Sequence, residues 1–157
     1  MIKNNFAISI LMKIIIFLII LTLIAGIAGF ISWQRNSYSK DVLKLEILGP
    51  VSTDLAQEIE YVVKYKNNGN FRLDNPELVF EPPKYAVSEG KVFERKILGS
   101  ADLGEAIYPG EEKAVSFKMR FFCKEGETKI IKSSLSYRPK NLKARYESST
   151  TFITTIK

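Results

Sequence analysis

The 157-residue sequence predicts an all-β fold, an antiparallel β-sandwich of about seven strands, carried behind one N-terminal transmembrane helix. Three observations lead there. Residues 14–33, "IIIFLIILTLIAGIAGFISW", contain no charged side chain. Beyond residue 42 the apolar residues recur every second position. Gly, Pro and Asn signals then interrupt the chain at strand-length intervals, with no helical period between them.

The apolar run has the length of a bilayer crossing, since twenty helical residues rise roughly 30 Å, the hydrocarbon thickness. A buried core helix of this length would carry a polar stripe, and this one has none. A cleaved signal peptide is the competing reading, because Lys3 and Lys13 form a basic flank and "IAGIAGF" supplies small residues. Its apolar region would be about 7–15 residues, and no A-x-A site precedes the polar chain. The reading is an uncleaved signal-anchor at 14–33 behind a cytoplasmic segment 1–13. Arg35 and Lys40 nearly balance Lys3 and Lys13, so charge alone does not orient the helix. The β-rich remainder tips the reading to a cytoplasmic N-terminus and an extracellular or periplasmic domain, with Trp33 and Tyr38 as interfacial aromatics. Ala25 and Gly29, a small-xxx-small pair, are candidates for helix–helix contact.

Residues 34–41, "QRNSYSKD", form a polar tether of roughly 25 Å at most. The domain, 42–157, begins with "VLKLEIL", which turns Leu43, Leu45 and Ile47 to one face. "EIEYVVKYK" follows with Ile59, Tyr61, Val63 and Tyr65 inward. Asn68-Gly69 offers the left-handed conformations of an abrupt exit, "NFRLD" carries the chain to the second sheet, and Pro76 opens "ELVF" (77–80). "KVFERKIL" (91–98) is the next strand. "LGEAIYPG" (103–110) is an optional short eighth strand whose Tyr108-Pro109-Gly110-Glu111 fits a type II turn. "KAVSFKMRFF" (113–122), "TKIIKSSLSY" (128–137) and "YESSTTFITTI" (146–156) complete the set.

The stretches "EIEYVVKYKNNGN", "PELVFEPP", "LGEAIYPGEEKAVSFKM" and "SSLSYRP" together resemble bacterial and archaeal surface modules of the CARDB and DUF11 type, over roughly residues 42–156. The resemblance implies an immunoglobulin-like sandwich and a role in adhesion, spacing or assembly.

Composition narrows the chemistry. With no histidine and one cysteine, Cys123, the chain has no internal disulfide and no material for a His-ligated or Cys-cluster zinc site or a Ser-His-Asp or Cys-His centre. Cys123 continues the alternation of Met119 and Phe121 and reads as a small buried hydrophobe. Acids recur at Asp54, Glu58 and Glu60, at Glu111 and Glu112, and at Glu125 and Glu127, without a calcium-loop pattern. No metal, cofactor or catalytic residue is expected. A carboxylate-based hydrolase is the minor alternative.

From residue 34 onward 21 Lys and Arg face 17 acids, a net charge of +4 too interleaved for nucleic acid. One basic concentration stands out, "YRPKNLKARY" (137–146), with Arg138, Lys140, Lys143 and Arg145 and no acid. Strand parity puts this turn at the end of the domain where the first strand enters, unless an eighth strand reverses it. The expected role is display of one non-catalytic domain for contact with an envelope or surface protein. The alternative is a module for an anionic envelope polymer or lipid headgroup, held by the basic turn.

Overall fold

The structure is a computed structural model that describes residues 2–36 and 42–157, and within the helix the side chains of residues 12–32. Lys3, Trp33, Arg35, Tyr38 and Lys40 therefore lie outside the described side chains.

Two units are present, divided at Tyr38. The first is α1 (Ile2–Asn36), which extends the helix beyond the apolar run at both ends, so residues 2–13 of the segment read as cytoplasmic and 34–36 of the tether are helical. Within it Met12–Ser32 is long and apolar enough to cross a membrane, and none of its side chains is buried by protein.

The second unit is a β-sandwich, an all-β domain of two sheets. Its elements in chain order are β1 (Leu43–Leu48), β2 (Ser52–Thr53), β3 (Ile59–Asn67), β4 (Leu73–Glu81), β5 (Ala86–Ser88), β6 (Lys91–Val92) and β7 (Lys96–Leu98). After the single helical turn α2 (Ser100–Leu103) come β8 (Ala106–Ile107), β9 (Glu112–Phe121), β10 (Thr128–Pro139) and β11 (Tyr146–Ile156). One sheet is ordered β1-β3-β9-β5-β6; the other is β2-β11-β10-β4-β7, with β8 also on β4. Six strands have six residues or more, and the seventh leg expected at 91–98 is split between the sheets, β6 in the first and β7 in the second. All pairs are antiparallel except β2 on β11.

Alternation does what it should: Ile59, Tyr61, Val63 and Tyr65 are buried, as are Phe117, Met119, Phe121, Ile131, Leu135 and Tyr137. Three readings, two of turns and one of burial, need correction. Pro76 does not open a strand; β4 begins at Leu73, and Asn75-Pro76 form a bulge opposite Tyr137, with Asn75 at φ 50°. A proline is tolerated there because a bulge frees that position from the ladder. Neither Asn68 nor Gly69 is left-handed. Instead, Gly69 donates its N–H to Asn67 Oδ1 at 2.9 Å, and a side chain at Gly69 would run into Val42 Cγ1. The third is Cys123, which is half-buried rather than buried, because β9 ends at Phe121 and the chain bends there. The type II turn stands, with Gly110 at φ 79° and Glu111 N–H donating to Tyr108 O at 3.0 Å.

Candidate functional site

The end of the sandwich where β1 starts is organised by a residue the alternation passed over. Asn67 continues the inward series 59, 61, 63, 65 and is fully buried. Its Nδ2 donates to the carbonyls of Phe71 (2.9 Å) and Ile107 (3.0 Å). Its backbone N–H donates to Glu111 O and its carbonyl accepts from Gly110 N–H. One amide thus ties residues 68–71 to the Tyr108–Glu111 turn. Reading the parity one step further would have found it, since a polar residue on an inward face must be fully hydrogen-bonded.

The basic turn lies at this same end. Asn68 N–H donates to Val42 O at 2.8 Å, and Lys140 N–H to Arg72 O at 2.9 Å, so the strand entry, residues 68–72 and the turn after β10 are neighbours. β8 does form, yet parity is not reversed: β7 and β8 both run antiparallel to β4, with α2 between them, and count as one leg.

The four cations are not equivalent. Arg138, Lys140 and Lys143 are exposed. Arg145 is occupied: its Nε and Nη2 donate to Ser136 Oγ (3.2 and 2.9 Å) and its Nη2 to the carbonyl of the bulged Asn75 at 3.2 Å. The bulge that displaced Pro76 from the ladder gives Arg145 its acceptor. Nearby Arg72 pairs with Asp74, Nε to Oδ1 2.6 Å, which raises the guanidinium pKa further.

Elsewhere four of the acids singled out in the sequence, Glu58, Glu111, Glu112 and Glu127, are engaged with cations. Glu58 accepts from Arg120 at 3.0 Å, and Glu111 lies 3.3 Å from Lys113. Glu112 lies 2.7 Å from Lys64, whose hydrogen bond holds that carboxyl below its ordinary value. Glu127 is 2.6 Å from Lys129 and is held low in the same way. Among the described residues no three His, Cys, Asp or Glu side chains come together to hold a metal ion. Ala25 and Gly29 sit one turn apart on α1, both exposed, with open space where a side chain on Gly29 would project.

No protein-family model and no curated protein matches the chain. Among solved structures it is similar to the crystal structure of the CARDB domain of the PF1109 protein from Pyrococcus furiosus, in complex with di-metal ions. That match has 19% identity and a TM-score of 0.46, and covers 73% of this chain and 87% of that one. The solution structure of the same domain matches at 18% identity and TM-score 0.47, covering 73% and 94%. A cohesin module from a Clostridium perfringens family 33 glycoside hydrolase matches at 13% identity and TM-score 0.49, covering 73% and 96%. CARDB is the type that the turn motifs of the sequence resemble.

Proposed function

We propose that this chain is a single-pass membrane protein that displays one non-catalytic immunoglobulin-like domain outside the membrane for protein contact at the cell envelope. The observation that carries the reading is the pairing of an uncovered apolar helix with a self-sufficient sandwich. Met12–Ser32 is apolar with every side chain exposed, a state stable only in lipid or against other helices. The sandwich that follows buries its own aromatic core and needs no contribution from the helix. An uncleaved anchor predicts a full-mass chain that stays in the membrane fraction after alkaline carbonate extraction. A shortened chain in the soluble fraction would point to a cleaved signal peptide instead.

A second reading is supported by the position of the basic turn. Arg138, Lys140 and Lys143 sit at the end of the sandwich where β1 begins, and on this reading the polyanion that they meet is a layer of anionic lipid headgroups. Each cation near such a surface contributes about 1 kcal/mol, weakened by salt. The expected result is that R138Q/K140Q/K143Q, which leaves the hydrogen-bonded Arg145 in place, abolishes salt-sensitive quenching of a domain label by anionic proteoliposomes. Unchanged quenching removes the lipid role. Ala25 and Gly29 remain the proposed contact between two anchors, and crosslinking in membranes that yields monomer alone would remove it.

A further inference from the structure

We propose that the free edge of β9 is a docking site for an extended peptide strand of a partner protein, apolar at its centre and acidic at its flanks. This rests on the reading of the domain as an interaction module and names where the partner is held.

β9 pairs with β3 along its length, from Lys66↔Glu112 to Ile59↔Met119. On its other side only Arg120 and Phe121 are paired, with Val87 and Ala86 of β5. From Glu112 to Met119 that second side has no strand neighbour among the described residues. Alternate residues of a strand direct their N–H and C=O groups to opposite sides, so an edge without a strand neighbour presents a row of backbone donors and acceptors to one. The matching occupant is another extended backbone.

The surroundings shape a slot for it. The β5–β6 hairpin, closed by Glu89-Gly90 with both residues at positive φ, leaves the sheet after Val87 and forms the opposite wall. Between wall and edge lies a groove of about 420 Å³, lined in part by Ser88, Val92, Ser116 and Lys118. Its floor is aromatic: Phe93, half-buried, lies 5.9 Å from Phe80 and 6.3 Å from Phe117, ring centre to ring centre. Lys96 and Lys118 stand on the rim, exposed and outside every ion pair among the described residues, against the single acid Glu89. An apolar side chain over Phe93 and carboxylates beside the two lysines complement this lining. A neutral or basic strand would satisfy the backbone and leave the rim unmatched.

The probe is a blocked synthetic peptide, Glu-Val-Thr-Phe-Thr-Val-Glu, added to the full chain in nanodiscs while amide hydrogen exchange is followed. The expected result is that amides of residues 113–119 on the open side slow by roughly tenfold or more on peptide addition. Methylating alternate peptide nitrogens gives two variants that block opposite peptide edges, and one of the two loses this protection. Replacing both glutamates with lysine weakens binding roughly fivefold, the scale of two exposed ion pairs, and K96E/K118E reverses that preference. Both lysines are surface residues, so an unchanged unfolding midpoint in the variant shows that folding is intact. Equal protection by both methylated peptides, or none by any peptide, overturns the proposal. So does protection of these amides without peptide that fades on dilution, which would assign the edge to a second copy. An envelope protein captured by the chain but footprinting at the Cys123 end also overturns it while leaving the display reading in place.

Discussion

The two flanks of the sandwich are closed in different ways. On one flank the chain itself changes sheets: β1 pairs with β3, and after Gly49-Pro50 β2 pairs with β11. The crossing is bolted by a buried hydroxyl relay, Tyr61 O–H to Thr154 Oγ1 at 2.7 Å and Thr154 O–H to Pro50 O at 2.9 Å. Gly49 packs so closely on Tyr61 that a side chain there would run into the ring. On the other flank the chain also crosses, from β4 to β5 and from β6 to β7, but without pairing along Glu112–Met119 of β9, and side chains fill the seam: Phe80 stacks on Phe117 at 4.0 Å with Phe93 over both. A backbone closure satisfies its polar groups internally, whereas an aromatic closure seals the core and leaves a strand edge unpaired. The second kind of flank is the one that can accept a partner.

The sharpest way to break this contrast is Phe80→Ala. The ring is fully buried at the junction of the sheets, and its loss should cost about 3–5 kcal/mol in denaturant unfolding. A loss below about 1 kcal/mol would mean that the aromatic cluster does not hold the open flank. Next comes Asn67→Ala, which strands the Phe71 and Ile107 carbonyls and should cost about 2–3 kcal/mol, with faster exchange at Gly69 and Gly110. The third test is alkaline pH. Burial, with Glu111 adding to it, pushes the Tyr65 hydroxyl up to about 12 from an ordinary 10.0. Because the folded value is raised, its stabilisation is whole below pH 10 and is lost as pH rises toward 12, about 2–3 kcal/mol in all. Tyr65→Phe should flatten that fall. Tyr61→Phe should cost about 1 kcal/mol by opening the hydroxyl relay. The smallest effect lies at acid pH: Glu112, held low by Lys64, stabilises above the ordinary carboxylate range, and this contribution fades as pH falls through its depressed value. Both groups are exposed, so Lys64→Gln should shift the acid transition only slightly.

The sequence made the layers legible because burial on one face imposes a period of two, and β3, β9 and β10 obey it along their length. It made the helix at Met12–Ser32 legible because an uninterrupted apolar run of that length favours a single helix long enough to cross a membrane. Turn chemistry was read less well. Asn-Gly serves many turns, and which one forms here was decided by Asn67 and Val42, partners invisible to local propensity. The bulge at Asn75 and the division of "KVFERKIL" between two sheets depend on strand pairings remote in sequence. For the same reason four basic residues in a row of ten looked alike, although only Arg145 faces the carbonyl that the bulge releases. The unpaired edge of β9 was illegible in principle, because an edge is defined by which strand is missing beside it.

Display of the domain outside the membrane on an uncleaved helix is tested most directly at Cys123, the chain's one cysteine, half-exposed at the end of the sandwich opposite Val42. Intact cells expressing the full chain are treated with a membrane-impermeant maleimide before and after permeabilisation. The account predicts that Cys123 is labelled without permeabilisation, on a chain of full mass that sediments with the membranes. Labelling only after permeabilisation, or only on a shortened chain released from the membrane, would contradict it.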